Sequence, residues 1–207
     1  MSEDARRFAP ATARNRDPLL QVLKSLLPQT GTILEIASGT GEHACYFSPA
    51  FGDAIWQPTD TDEGAIASIN AHRQADGPAN LASPLYLNVM EPEWPISAAD
   101  AVLCVNMVHI APWACCENLL QGCAHVLSPG APLVLYGPFK RDGAHTAPSN
   151  AEFDQTLRRQ NADWGIRDID EIAKAGKARG FTTEDPIAMP SNNFCLVLRQ
   201  TNTAPSS

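Results

Sequence analysis

The sequence predicts an α/β protein with a doubly wound, mostly parallel sheet of seven strands. Apolar runs of strand length alternate with segments of helical periodicity, the pattern of a parallel sheet with helices on both faces. The run at 99–110 is almost wholly apolar, as expected for a strand that is covered on both sides. Residues 186–200 contain two short apolar runs around Ser-Asn-Asn, which predicts a C-terminal antiparallel hairpin.

The predicted elements are bounded by residues that start or stop them. The first five strands are expected at 32–38, 53–60, 81–89, 99–110 and 131–139. The first helix is expected at 17–27, with Asp17 as N-cap and Pro18 at the first helical position. Later helices are expected directly after the glycines at 39 and 41, after a cap at Asp62, at 115–127, and within 152–179.

Composition and charge exclude several classes of protein. The chain has 207 residues, 44% of them hydrophobic, which suits one domain with a sizeable core. Its net charge of −8 disfavours a nucleic-acid binder, because such proteins normally carry a basic face. We expect no membrane span, because no apolar run approaches the roughly 18 residues required. We also expect no signal peptide, because no apolar stretch follows the charged residues at the N-terminus. The six cysteines have no CxxC or zinc spacing, so we expect reduced thiols, no metal site and a cytoplasmic location.

A glycine-rich turn follows the first predicted strand. The stretch GTGEHA at 39–44 matches the G-x-G-x-x-G/A pattern, and Asp60 lies 19 residues after Gly41. An acid at that position can bind ribose hydroxyls, so the pattern permits either a nicotinamide dinucleotide or S-adenosylmethionine. A P-loop is excluded, because no Gly-Lys-Ser/Thr follows the glycines.

A second motif bears on that choice. Tyr136 and Lys140 have the Y-x-x-x-K spacing of short-chain dehydrogenases, in which a helix places both side chains on one face. Here Gly137 and Pro138 lie between them and disfavour a helix. A nicotinamide-dependent dehydrogenase is therefore only the third hypothesis.

The stretch Glu35-Ile-Ala-Ser-Gly39-Thr-Gly41 resembles the first motif of class I S-adenosylmethionine-dependent methyltransferases, which have a Rossmann-like fold. The resemblance implies that Glu35 serves the methionine ammonium and Asp60 the ribose. It also implies that Asn88 lies near the adenine amine, and that Ala37 replaces the family's first glycine. The cofactor residues expected from it are Glu35, Ala37, Ser38, Gly39, Gly41, His43, Asp60, Thr61, Asn88, Val89, Asn106 and Met107.

A more specific resemblance is to the DUF938 (UPF0585) family, whose members are methyltransferase-like mostly by fold. It rests on long stretches spread along the chain: ATARNRDPLLQVL, LEIASGTGEHACYF, WQPTDTD, VNMVHIAPW, LYGPFKRDG, SNAEFDQTLRRQNADWGIRD and MPSNNFCLVLR. This resemblance implies S-adenosylmethionine as cofactor and supplies no substrate.

Candidates for chemistry follow the fourth and fifth strands. His109 is the candidate general base, since it ends a strand at the edge where α/β proteins bind ligands, although a structural histidine would have the same pattern. Tyr136 is a second catalytic candidate. The candidates for acceptor binding are Arg14, Arg16, His109, Lys140, Phe153, Asp154, Trp164 and Arg167. Asp154 and Arg158 are also consistent with a plain helical ion pair.

These expectations combine into one layout. Residues 1–30 form an arm and helix that cover the active site, 31–200 form the methyltransferase domain with a lid or acceptor-side insertion at 140–170, and 201–207 form a flexible tail. The leading hypothesis is a methyltransferase that acts on a small molecule at O, N or S, because the Asn-Pro-Pro-Tyr and Pro-Cys motifs are missing. The alternative is a protein that binds S-adenosylmethionine without turnover. A homodimer is the default expectation.

Overall fold

The fold of the chain, in a computed structural model that describes residues 5–201, is mixed α/β around a mostly parallel sheet. The chain divides into two compact units, residues 1–103 and 104–207. Strand β4 (Ala101–Val105) crosses the boundary between these two stretches of sequence.

The first unit carries the strands that lead to the glycine-rich turn. Its elements are α1 (Pro10–Leu26), β1 (Thr30–Ile36), α2 (Glu42–Phe47), β2 (Asp53–Asp60), α3 (Glu63–Asp76) and β3 (Leu85–Tyr86). The strand order is β3-β2-β1-β4. Strands β1 and β2 are parallel, and Glu35 pairs with Pro58 at the end of their register. The carboxyl ends of β1 and β2 therefore lie at the same edge.

The second unit contains the antiparallel part of the sheet. Its elements are α4 (Trp113–Val126), β5 (Pro132–Gly137), β6 (Lys140–Arg141), β7 (Ala144–His145), α5 (Pro148–Gln160), α6 (Ile169–Lys177), β8 (Phe181–Thr183), β9 (Ile187–Met189) and β10 (Asn193–Gln200). The order is β4-β5-β10-β8, and β9 also pairs with β10. Every residue of β5 is buried, so β5 forms the centre of this unit's core.

The predicted C-terminal hairpin is confirmed. Strand β10 runs antiparallel to β9 and also to β5 and β8. Ser191 and Asn192 between β9 and β10 both have positive φ, at 60° and 57°, which suits a tight turn between twisted strands. Because β5 occupies one edge of β10, the short strands β8 and β9 share the other edge. Eight strands thus fill the seven lateral positions that were predicted.

The first helix begins earlier than predicted. It starts at Pro10 rather than at residue 17, and Pro18 lies inside it. A proline there deprives only the carbonyl four residues earlier of its partner, and that residue, Arg14, is exposed to water. Asp17 is not the N-cap; its Oδ1 accepts a hydrogen bond from the Tyr46 hydroxyl at 2.6 Å.

Two strands are shorter than predicted. Strand β3 covers only Leu85–Tyr86 instead of 81–89, since Pro58 of β2 has no N–H to continue the ladder. Strand β4 ends at Val105 instead of residue 110. There Asn106 adopts a left-handed conformation, with φ 63°, and starts the 3₁₀ turn Met107–His109. His109 therefore lies in a turn rather than at the end of a strand.

Candidate functional site

The turn between β1 and α2 contains three residues with positive φ: Ala37, Gly39 and Gly41. The two glycines have different neighbours. A Cβ on Gly41 would lie 2.8 Å from the Cα of Ile69, so packing against α3 requires that glycine. In the described part of the chain, nothing lies within 4 Å of the point where a Gly39 Cβ would stand. Gly39 is therefore where a ligand can approach bare backbone.

Ala37 has a backbone conformation that glycine adopts more readily than alanine. Its φ is 55°, a left-handed value that costs a residue with a Cβ roughly 1–2 kcal/mol. A left-handed residue at this position suits the glycine that the resemblance to methyltransferases would place there.

Asp60 lies at the end of β2 and is hydrogen-bonded to the glycine-rich turn. Its Oδ2 accepts the Gly39 N–H at 2.9 Å, and its Oδ1 accepts the N–H groups of Thr61 and Asp62 at 2.8 and 3.0 Å. A carboxylate offers about four acceptor positions, so one remains for a hydroxyl donor. Asp62 instead caps α3 as predicted, accepting from the Ala65 N–H at 2.7 Å.

Glu35 is a buried carboxyl group at the end of β1. It is 1% exposed, and its Oε2 accepts the Trp56 indole N–H at 3.0 Å. Burial raises the pKa of Glu35 to about 7; the charge of Asp60 adds to the rise, and hydrogen bonds from Trp56 and Ser38 oppose it. A cation bound beside Glu35 would stabilise its ionised form.

His43, in the first turn of α2, contacts the N-terminal helix. Its Nε2 lies 2.8 Å from Asn15 Oδ1, and its ring stacks on Phe47 with centroids 4.9 Å apart. Burial lowers the pKa of His43 to about 4, and the positive charge of Arg16 contributes. Arg16 lies 4.5 Å from the centroid of the Tyr46 ring, whereas Arg14 is exposed. The Arg-Asn-Arg segment thus lies against the helix that follows the glycine-rich turn.

Residues 5–9, which we call the strap, cross the amino-terminal ends of α2 and α3. The Arg7 N–H donates to Ser68 Oγ at 2.8 Å, and the Arg7 Nη1 donates to Asp62 Oδ1 at 2.8 Å. The Ala9 N–H donates to Glu42 Oε2 at 2.6 Å. A Cβ on Gly64 would lie 1.8 Å from an Arg7 nitrogen, so the guanidinium packs against Gly64 because this residue has no side chain.

The remaining cofactor candidates of the first unit are Asn88, Val89 and Thr61. Asn88 follows β3, and its Oδ1 accepts the Met90 N–H at 3.0 Å, so its amide oxygen already takes part in a turn. Val89 is buried and Thr61 is exposed. The hydrogen bonds of the first unit thus link Gly39 with Asp60, and Trp56 with Glu35.

In the second unit, His109 is held by backbone groups on several sides. Its side chain is 1% exposed, its Nδ1 accepts the Arg167 N–H at 3.3 Å, and its carbonyl accepts the Gly165 N–H at 2.9 Å. A Cβ on Gly137 would lie 2.4 Å from His109 Nε2, so the ring packs on bare backbone. Nε2 is buried and has no hydrogen-bond partner among residues 5–201.

These contacts bear on the predicted role of His109 as a general base. Burial lowers its pKa to about 3, and the charge of Arg167 contributes, so the ring is neutral near pH 7. Because Nδ1 accepts a hydrogen bond, we assign the proton of the neutral ring to Nε2. A protonated Nε2 cannot take a proton from an acceptor molecule. The geometry favours a structural role, and the general base stays a prediction.

Arg167 holds the loop that follows β4. Its Nε donates to the Val108 carbonyl at 2.9 Å, and its Nη2 donates to the carbonyls of Ala111 and Asp163 at 2.6 and 2.7 Å. These bonds connect two loops of the second unit through one guanidinium. These donors go to backbone carbonyls, and the binding of the acceptor by Arg167 stays a prediction.

The predicted pair Tyr136 and Lys140 is not arranged as in a dehydrogenase. Tyr136 lies in β5 and Lys140 in β6, so no helix places them on one face. Tyr136 is 2% exposed, and its hydroxyl accepts a hydrogen bond from Asn193 Nδ2 at 3.1 Å. This agrees with the prediction that no helix carries the Y-x-x-x-K spacing.

Asp154 is the centre of a charged cluster within the predicted insertion at 140–170. It is 6% exposed and lies within ion-pair distance of Lys140, His145 and Arg158. Phe153 on the same helix is 44% exposed, and Trp164 is half-buried. Sequence reasoning did not include His145, because nothing in the pattern places β7 beside α5.

Comparison with known proteins identifies the family. A family model described as "Protein of unknown function (DUF938)" matches residues 6–200. The chain belongs to the DUF938 family. This membership confirms the resemblance that the long sequence stretches indicated. The description of the family states no activity.

Solved structures that are similar to this chain include proteins named as methyltransferases. An O-methyltransferase family protein from Burkholderia thailandensis is similar with a TM-score of 0.74 at 16% identity, over 94% of this chain and 58% of that one. Human N-acetylserotonin methyltransferase, solved in complex with SAM, has a TM-score of 0.75 at 12% identity, over 93% and 53%. An O-methyltransferase family 2 protein from Planctomyces limnophilus, solved with apigenin, has a TM-score of 0.78 at 15% identity, over 92% and 60%.

The DUF938 chain therefore spans little more than half the length of these three enzymes. At such identities the similarity establishes the fold alone. Residues 5–201 contain no group of three or more His, Cys, Asp or Glu side chains that could hold a metal ion. Within the same residues, no helix is long and apolar enough to cross a membrane.

Proposed function

We propose that this DUF938 protein is an S-adenosylmethionine-dependent methyltransferase that acts on a small-molecule acceptor at oxygen, nitrogen or sulfur. The observation that carries the proposal is Gly39, whose bare backbone faces open space while its N–H is held by Asp60. The position lies at the carboxyl edge of β1 and β2, where α/β proteins bind ligands. The fold similarity to methyltransferases supports the same conclusion.

The residues of the first unit fit the cofactor. Gly39 leaves room for it beside the turn, Asp60 keeps an acceptor position for a ribose hydroxyl, and Glu35 offers a negative charge to the methionine ammonium. Bound S-adenosylmethionine would supply a methyl group that its sulfonium already activates. The protein then has to hold the acceptor atom within about 3–3.5 Å and in line with that methyl group, and to exclude water.

The acceptor side determines whether a base is required. His109 is neutral, and its Nδ1 lone pair is taken by the Arg167 N–H. An acceptor that is already an anion or a neutral amine at pH 7 would need no base. The same observation favours the second candidate function, a protein that binds S-adenosylmethionine without turning it over.

Calorimetry with S-adenosylmethionine tests the cofactor assignment. Asp60→Ala removes a charged acceptor, so we expect it to weaken binding by about 1–3 kcal/mol. Asp53→Ala is the matched control, since Asp53 is an exposed residue at the other end of the same strand. Equal affinity of wild type and Asp60→Ala would refute the assignment, and binding of NADH in place of S-adenosylmethionine would favour the dehydrogenase.

Release of S-adenosylhomocysteine tests turnover. The protein is incubated with S-adenosylmethionine and fractionated small-molecule extract, and the product is measured in each fraction. Product in any fraction supports the enzyme. Tight cofactor binding with no product in any fraction supports the non-catalytic alternative. We also propose that the protein is a homodimer, which light scattering tests. A cytoplasmic location is part of the same proposal, and cell fractionation tests it.

A further inference from the structure

The strap, residues 5–9, is linked to the glycine-rich turn through the hydroxyl of Ser68. The Arg7 N–H donates to Ser68 Oγ at 2.8 Å, and Ser68 Oγ donates to the Thr40 carbonyl at 2.7 Å. Thr40 lies between the two glycines of the turn. A serine hydroxyl both accepts and donates, so the fully buried Ser68 joins the backbone of the strap to the backbone of the turn.

Glu42, the first residue of α2, makes a second link between the strap and the same threonine. The Ala9 N–H donates to Glu42 Oε2 at 2.6 Å, and the Thr40 hydroxyl donates to the same oxygen at 2.9 Å. Thr40 is thus held by its carbonyl through Ser68 and by its hydroxyl through Glu42. Each of these two partners also holds a backbone amide of the strap.

A third link leads from the strap to Asp60. Arg7 Nη1 donates to Asp62 Oδ1 at 2.8 Å, and the Asp62 N–H donates to Asp60 Oδ1 at 3.0 Å. Asp60 also accepts the Gly39 N–H. The contacts of the strap therefore end at the two features that the proposed function gives to the cofactor, the bare turn and the Asp60 carboxylate. All of these residues belong to the first unit.

The strap itself is held by polar contacts and little packing. None of residues 5–9 is buried; Phe8 is 67% exposed and the Arg7 side chain is 56% exposed. The helix α1 that follows buries three leucines. Local opening costs least where few apolar groups are buried and the backbone hydrogen bonds lie near solvent. The strap can therefore detach at Pro10 while α1 stays packed.

We propose that the strap is a latch whose docking and the binding of S-adenosylmethionine favour each other. The docked strap fixes Thr40, and with it the turn, in the arrangement that leaves the Gly39 backbone open. A cofactor bound to the turn and to Asp60 holds the same groups and so favours the docked strap. Such coupling is reciprocal, because each event changes the free energy of the other by the same amount. The identity of the ligand rests on the proposed function, whereas the link between strap and turn does not.

A proline at position 9 undocks the strap without changing the turn, α2 or α3. Ala9→Pro removes the N–H that bonds Glu42, and proline cannot adopt the φ of −120° found at Ala9. We expect the dissociation constant for S-adenosylmethionine, measured by calorimetry on the full chain, to rise about tenfold. Ala5→Pro is the matched control, because Ala5 is exposed and precedes these contacts; it should leave the constant unchanged. A wild-type constant in Ala9→Pro overturns the latch.

Hydrogen exchange of the strap amides measures the coupling from the other side. Saturating S-adenosylmethionine should slow the exchange of the Arg7 and Ala9 amides about tenfold, matching the loss of affinity in Ala9→Pro. The Gly143 amide is the reference, since it donates to Asp168 in the second unit at 2.7 Å. A cofactor that binds but leaves both strap amides unchanged overturns the latch alone. Equal slowing at Gly143 also overturns it, because that result reports general stabilisation.

The link between strap and turn is also measured without any ligand, which separates it from the proposed function. The Gly39 and Gly41 amides donate to Asp60 and to the Ser38 carbonyl within the turn. In ligand-free Ala9→Pro both amides should exchange severalfold faster than in wild type or Ala5→Pro. Equal rates in all three proteins contradict the latch, whether or not wild type binds S-adenosylmethionine.

Replacing the linking serine gives an independent variant. Ser68→Ala removes the acceptor of the Arg7 N–H and the donor to Thr40, so the Arg7 amide should exchange faster and S-adenosylmethionine should bind about tenfold more weakly. Ser48→Ala is the matched control, because Ser48 is an equally buried serine of the first unit whose Oγ donates to the Ala44 carbonyl at 2.6 Å. Thermal unfolding reports whether each variant folds. Equal loss of affinity in the two folded variants contradicts the latch.

Discussion

Replacing Glu35 by glutamine should change how the stability of the protein depends on pH. Burial raises the pKa of Glu35 from 4.5 to about 7 in the folded chain. Between these values the folded protein keeps a proton that the unfolded chain has lost, so rising pH lowers the free energy of unfolding. A rise of about 2.5 in pKa corresponds to about 3 kcal/mol. Glutamine has no charge to bury and keeps an oxygen for the Trp56 N–H, so this contribution disappears.

Urea unfolding of wild type and Glu35→Gln at pH 5 and pH 8 measures the effect. The stability difference between the two proteins is determined at each pH and the two differences are compared, which cancels every group they share. We expect the free energy of unfolding of Glu35→Gln, relative to that of wild type, to be about 2.5 kcal/mol higher at pH 8 than at pH 5. A shift close to zero would mean that Glu35 ionises as an ordinary carboxyl group, and the argument from burial would be refuted.

Three further predictions concern neighbouring features. Gly64→Ala should displace the Arg7 guanidinium, because the added methyl group would occupy its position. If the strap covers the cofactor, this change should weaken S-adenosylmethionine binding measured by calorimetry. Unchanged affinity would mean that the strap lies away from the cofactor. Ala37→Gly should raise the free energy of unfolding by up to about 1 kcal/mol by relieving a left-handed alanine, whereas Ala44→Gly inside α2 should lower it by a similar amount; urea unfolding measures both. His109 should stay neutral through pH 5–8, and stability should fall as pH drops below 6.5 towards its pKa of about 3; NMR titration of its ring would contradict this if the resonance moved within pH 5–8.

The sheet could be predicted from sequence because its signals are local. Alternating apolar runs and helical periodicity reflect which side of each element is buried, and the family resemblance added an expected position for the proposed cofactor. The start of α1 could not be predicted, since a proline inside a helix depends on whether water can reach the carbonyl of Arg14. The end of β4 was missed because a left-handed asparagine leaves no distinct sequence signal.

The candidate site was predictable where a residue type is tied to a backbone conformation. Gly39, Gly41 and Asp60 lie together at the turn as expected. The sequence could not distinguish Gly41, which packs against Ile69, from Gly39, which faces open space. The hydrogen bonds of Arg167 could not be predicted either, because two of the carbonyls that its guanidinium binds, those of Val108 and Ala111, lie more than fifty residues away along the chain.

The pairing of β10 has a consequence for biosynthesis. This strand is translated after β5, β8 and β9, yet it hydrogen-bonds to all three. Until it emerges from the ribosome, the wholly buried strand β5 lacks a neighbour on that edge, and an open apolar edge invites pairing with other chains. The nascent second unit should therefore depend on chaperones more than the first, and its ribosome-bound intermediates should be the species that aggregate.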